Sequence, residues 1–215
     1  MVGTRLSLPR WVPVQVNVTY FDAPGPAQTD ETLRLAAERA TELGIRHIVV
    51  PTTSGATAVK ALDIIKDAKL IVVTHMTGFA KAGEQELLPE HRKKLQKAGI
   101  PIHTASHALS GVEKGVRQAF GMVGFGMLLA SALRMFGQGT KVAVEITLMA
   151  ADAGLIPATE SIIALGGTES GVDTALVIKP AHTSNALDLH IEEVICKPRQ
   201  WKAQRLTKAP GRVRP

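Results

Sequence analysis

Valines at positions 12, 14, 16 and 18 alternate with Pro13, Gln15 and Asn17, the period of two that predicts a half-buried strand, and Pro13 places it at a sheet edge. Pro24-Gly25-Pro26 turns the chain, and Thr29 or Asp30 can cap a helix that carries Leu33, Ala36, Ala37, Ala40 and Leu43 on one face before Gly44 stops it. Residues 47–51 are almost wholly apolar, as in a strand covered on both faces. The alternation then repeats: a helix over 56–65, a buried strand over 70–74, a helix over 87–98 ended by Gly99, and a short strand over 100–103. Helix and strand alternating in this way predict an α/β fold with a doubly wound, mostly parallel open sheet. Two long helical stretches are expected in 112–153, separated near Gly137-Gln138-Gly139, with closing strands over 161–165, 174–178 and 191–196.

The 215 residues, 45% of them apolar, suffice for one sizeable core, so a single domain over 1–199 is expected, followed by a basic, flexible tail over 200–215. The longest uncharged run, 118–133, is 16 residues long with three glycines, which predicts a buried helix and no membrane span. The net charge of +6 suggests nucleic acid until it is located: seven cations follow Ile195 without one acid, so residues 1–196 sum to −1. With eight aromatics in the whole chain there are few platforms for stacked bases, and contact with polyanions is expected only weakly, through the tail. The lone Cys196 excludes an internal disulfide and reads as a packed thiol, and no secretory pattern opens the chain, so a cytoplasmic location is expected.

Ligands of open α/β sheets bind beyond the carboxyl ends of the strands, which directs attention to four loops. Thr52, Thr53, Ser54, Gly55, Ala56 and Thr57 form a strand-to-helix turn with four hydroxyls, free N–H groups and the positive end of a helix dipole. Such a turn suits a phosphate, although it lacks the lysine of a Walker loop and the glycines of a dinucleotide fingerprint; helix capping by its hydroxyls is the plainer alternative. Thr74, His75, Thr77, Gly78 and Phe79 follow the second strand, and His107, Ser110 and Gly111 follow the third. No Glu follows His103 as a zincin needs, and no metal site is expected. Gly166 and Gly167 could admit a phosphate close to the backbone. Glu145 and Asp152 interrupt an apolar helix at i and i+7, on one face, and with His75 and His107 are the candidate proton-transfer groups. Asp152 stands near a helix C-terminus, where its charge opposes the dipole and calls for a compensating partner.

Several blocks in order, residues 20–26, 29–33, 49–57, 77–79, 107–111, 144–152 and 173–182, resemble stand-alone proteins similar to the pyruvate kinase C-terminal α/β domain, over about residues 16–199. The resemblance implies a three-layer α/β/α fold without an attached catalytic barrel, and hence no pyruvate kinase activity. The 52–57 turn is similar to the effector loop that holds a phosphate of fructose 1,6-bisphosphate, with Thr52, Thr53, Ser54, Gly55 and Thr57 matching and Ala56 replacing a residue often hydroxylic there. Flavin mononucleotide (FMN) is a further cofactor that the resemblance implies, with Phe79 or Met76 as a wall for its ring.

The leading expectation is a homo-oligomeric domain that binds a phosphorylated metabolite or nucleotide on the 52–57 turn. A small flavin-dependent or hydrolytic enzyme using the histidines and carboxylates is the rival, with Ser106 or Ser110 paired to His75 or His107 as one hydrolytic arrangement. An interaction scaffold working through the basic tail is the third reading.

Overall fold

The structure, a computed structural model, describes residues 13–200; Val12 and nearly all of the basic tail lie outside that range. Seven strands form one sheet in the order β1-β7-β6-β5-β2-β3-β4. They are β1 (Thr19–Phe21), β2 (His47–Thr52), β3 (Lys69–Thr74), β4 (Ile102–Thr104), β5 (Ile162–Gly166), β6 (Thr174–Lys179) and β7 (His190–Pro198). All neighbouring pairs are parallel except those of β6, which runs against both β5 and β7. The mostly parallel α/β fold expected from the alternation is therefore present.

Six α-helices cover the two faces among the described residues: α1 (Thr29–Leu43), α2 (Ala56–Ile64), α3 (Pro89–Lys97), α4 (Gly111–Phe120), α5 (Phe125–Arg134) and α6 (Gln138–Asp152). On one face Leu33, Ala36 and Ala40 of α1 and Ala61 of α2 bury against Ile48, Val50, Ile163, Leu165 and Val177, with Leu95 of α3 closing on Ala58 and Val72. On the other, α6 packs Val144, Ile146, Leu148 and Met149 against Val49, Ile71, Ile162, Ala164 and Leu176. Alternate residues of β2 and β5 thus enter opposite cores, which is why those strands read as continuous apolar runs.

The close fit of α6 depends on two glycines. A Cβ at Gly166 would lie 1.9 Å from the Gly139 carbonyl oxygen, and one at Gly139 would lie 2.1 Å from Thr174 Oγ1. Asp173, fully buried, fixes the neighbouring loops by accepting hydrogen bonds from the Gly25 and Thr168 amides and the Thr174 hydroxyl at 3.0, 3.2 and 2.9 Å.

Three expectations need correction. Residues 13–18 carry no strand, and Val14 is 83% exposed; the edge strand is Thr19–Phe21, in register with Cys196, Lys197 and Pro198 of β7. Alternation marks any extended chain, but a strand also needs a buried face, and β7 is itself exposed over His190, Ile191 and Glu192. The segment after residue 111 forms three helices instead of two, because Gly121, at φ +70°, ends α4 before α5 leaves at a bend of 105°. The uncharged run 118–133 straddles that bend and is largely exposed, with Phe120 74% and Phe125 90% accessible, so it is not the buried helix its composition suggested. No single described helix is long and apolar enough to cross a membrane. Cys196 is packed inside, and burial pushes its thiol pKa up to about 12.

Candidate functional site

A cavity of about 700 Å³ opens at the carboxyl ends of β2 and β3, between the N-terminus of α2 and the helices α4 to α6. Its first wall is the turn after β2. Thr52 is buried, and its hydroxyl accepts a hydrogen bond from the Gly55 amide at 3.1 Å, closing the turn on itself. Gly55 holds φ +99°, and a Cβ there would come within 2.4 Å of His91 Cβ and 2.7 Å of Leu87 Cδ1. The Ser54 carbonyl accepts from the Leu88 amide at 3.1 Å and meets His91 Nδ1 at 2.8 Å, so α3 clamps the turn from behind.

The turn leaves specific donors open. The amides of Ala56, Thr57 and Ala58 begin α2, whose first helical bond is Val59 N–H to the Gly55 carbonyl, so they have no partner within the helix. Ser54 Oγ lies 3.5 Å from the Ala56 amide. Thr57 is only 8% exposed, lines the cavity, and has no hydrogen-bond partner for its hydroxyl among the described residues. A buried hydroxyl without a partner is costly unless something in the cavity supplies one. Thr53 and Ser54 also face the cavity, whereas Gly55 is buried behind the turn with its amide already used, so it shapes the cradle without offering a donor.

The second wall is aromatic. Ring centroids of His75 and Phe79 are 4.0 Å apart, those of Phe79 and His107 5.1 Å, and Lys114 Nζ stands 4.4 Å from the Phe79 centroid. His75 Nδ1 is 2.8 Å from Glu86 Oε2, which orients its ring. Burial holds the His107 pKa below its ordinary value of 6.5; Glu145 works against that shift, while Lys141, His75 and Lys114 add to it.

The third wall is cationic. Lys114 and Arg117 of α4, Arg134 of α5 and Lys141 of α6 line it, and Lys60 lines the side nearest α2. Arg134 donates to Gln138 at 2.8 Å and, like Arg117, makes no ion pair among the described residues. Lys141 and Glu145, both buried, pair one helical turn apart, and Glu145 also accepts from the Leu109 amide at 3.1 Å with Ser110 Oγ at 3.5 Å. Glu145 and Glu169 are the acids of the lining, so the cavity as a whole is positive.

The expected site residues divide accordingly. Thr52, Thr53, Ser54, Ala56, Thr57, Thr74, His75, Phe79, His107, Ser110, Glu145 and Gly167 do share the cavity. Thr77 is exposed, and the Gly78 amide donates to the Glu84 carbonyl at 2.8 Å; neither residue lines the cavity. Gly111 and Gly166 serve packing instead, since a Cβ at Gly111 would meet Ser106 Oγ at 2.1 Å. Asp152 is removed from the site: its carboxylate accepts from the Thr183 amide and hydroxyl at 3.0 and 2.6 Å, with His182 Nδ1 at 3.3 Å. Burial works to raise the Asp152 pKa, but those bonds outweigh it and hold the carboxyl below its ordinary value, so the compensating partner expected at this helix end is Thr183 with His182. Among the described residues no hydroxyl of Ser106 or Ser110 is hydrogen-bonded to a histidine; Ser110 faces Glu145. Among the described residues no three or more His, Cys, Asp or Glu side chains are gathered as a metal would require.

Sequence reasoning missed the cationic wall. Its clearest signal was Lys141, four residues before Glu145 in an otherwise apolar helix, a spacing that puts both on one face.

The chain is similar to known proteins. Two pyruvate kinase structures from Cryptosporidium parvum, one in complex with ADP, are similar to it at 15% and 20% identity, both with a TM-score of 0.36. They cover 69% and 77% of this chain, which in turn spans less than a quarter of their length, 22% and 24%. The family model described as "Pyruvate kinase, alpha/beta domain" matches residues 30–178, and the chain belongs to that family.

Proposed function

We propose that the cavity binds a phosphorylated small molecule, with its phosphate on the 52–57 turn. The observation that carries this reading is the partnerless, buried Thr57 hydroxyl beside the open amides at the start of α2. Those donors belong to the first turn of α2, whose dipole favours negative charge at its N-terminus. Lys60, Arg117, Arg134 and Lys141 around the same cavity add attraction that a neutral metabolite would not use.

The Phe79 face, with His75 and His107 beside it, favours ligands that also present a flat ring, a nucleotide or FMN. The residues fit FMN in kind: hydroxyls and amides for its phosphate, aromatic side chains for its ring. When bound, a flavin would supply redox chemistry, and this chain's own contribution would be to orient it.

The exposed apolar side chains at the bend between α4 and α5 and just after α5 support a second part of the reading, assembly with another copy of the chain, because a lone protein rarely leaves Phe120, Met122, Phe125 and Phe136 all in water.

The test is thermal denaturation with inorganic phosphate, FMN, sugar phosphates and nucleoside monophosphates, alongside Ser54→Asp. A ligand-dependent rise in Tm that the variant loses supports the proposal. Unchanged melting with every compound contradicts it.

A further inference from the structure

Lys141 is 5% exposed, lies at the cavity wall, and has one partner among the described residues, Glu145. An ammonium carries three N–H donors, so two remain without a protein acceptor. Glu145 is held from its other side by the Leu109 amide and, more loosely, the Ser110 hydroxyl. Its position is therefore fixed independently of the lysine. Burial lowers the Lys141 pKa from its ordinary value of 10.5, Glu145 opposes that shift, and nearby Arg134 adds to it. The wall also carries His75, His107, Lys114 and Arg117.

A desolvated amine with a carboxylate beside it, in a cavity of about 700 Å³, is what nucleophilic attack on a carbonyl requires. We propose that Lys141 forms an imine with a small phosphorylated aldehyde or ketone whose phosphate occupies the 52–57 turn. This rests on the phosphate reading given above. Glu145 takes a proton from the Lys141 ammonium, and the freed amine adds to the carbonyl carbon, the nitrogen then passing one of its two protons to the former carbonyl oxygen to give a neutral carbinolamine. The C–N bond forms as the C=O π bond breaks. Glu145 then returns its proton to the departing hydroxyl, water leaves, and the protonated imine remains; the balance is amine plus carbonyl giving imine plus water, with no oxidant or reductant.

The experiment is borohydride trapping on the full chain with glyceraldehyde 3-phosphate, read by intact mass and peptide mapping. One reduced adduct at Lys141, suppressed by excess inorganic phosphate and absent from Lys141→Arg, is the expected result. Unphosphorylated glyceraldehyde should label Lys141 roughly tenfold less, the factor that about 1.4 kcal/mol of phosphate binding confers. Labelling confined to exposed lysines, with Lys141 unmodified although phosphate stabilises the protein, overturns the imine and leaves the phosphate site standing. Equal labelling of Lys141 by both aldehydes, without competition by phosphate, upholds the reactive amine and overturns the phosphate site. Because the wild-type map decides the matter, a poorly folded variant does not obscure it.

Discussion

The Glu145 carboxylate accepts a hydrogen bond from the Leu109 amide at 3.1 Å, tying α6 to the loop that follows β4. The same carboxylate neutralises Lys141, so one side chain holds both a wall of the cavity and its deepest cation. Glu145→Gln should therefore destabilise the fold by about 3–5 kcal/mol, the usual effect of leaving a buried charge unpaired. Lys141→Met with Glu145→Leu should recover much of that loss. Urea denaturation of the parent and the two variants checks both statements; a Glu145→Gln variant as stable as the parent would show that the pair is not buried in solution.

Gly55→Ala probes the turn itself. The substitution forces a side chain to φ +99° and into His91 and Leu87, at 2.4 and 2.7 Å. A loss of about 1–3 kcal/mol is expected from backbone strain of this kind, with the repulsion added to it. The Tm should fall, and affinity for phosphate should fall with it because the amides of Ala56 and Thr57 are displaced. A variant with unchanged stability would mean that α3 does not clamp the turn.

How much of this was legible beforehand depends on the signal. Residues 47–51 and 70–74 announced buried strands because their apolar runs face two cores, and Gly44 and Gly99 marked real ends. The 52–57 segment was legible as a strand-to-helix turn because hydroxyls and a glycine there close the turn and start a helix, as the bond from the Gly55 amide to the Thr52 hydroxyl does. The misread segment at 13–18 shows the limit of a local pattern, since alternation does not say whether a partner waits. The cationic wall was illegible for a related reason: Arg117, Arg134 and Lys141 belong to three helices whose meeting at one opening is a product of topology. Asp152, two helical turns beyond Glu145 on the same face, leaves the site because it is held by Thr183 and His182 in the loop after β6.

Acid should destabilise the protein through its half-buried histidines. Burial lowers the pKa of His47, His103 and His107 below 6.5. The unfolded chain then binds more protons than the folded one between each lowered pKa and 6.5, so stability rises with pH through that window and is lost as pH falls. His107→Gln should flatten the slope of unfolding free energy against pH below 6.5. A slope of opposite sign in the wild type would contradict these burials.

The exposed apolar pair Phe120 and Phe125 offers a check on assembly. Phe120→Ser with Phe125→Ser should lower the sedimentation coefficient by dissolving the contact between copies, while circular dichroism stays unchanged. A wild-type protein that sediments as a monomer at every concentration would dispose of that part of the proposal.

The most direct measurement is native mass spectrometry of the purified full chain, followed by denaturation and identification of whatever is released, with Ser54→Asp in parallel. The account predicts a phosphorylated small molecule bound to the wild type and missing from the variant, whose carboxylate repels phosphate at the mouth of the turn. A protein that carries no such molecule, and that takes up none when FMN, sugar phosphates and nucleotides are added, would contradict it.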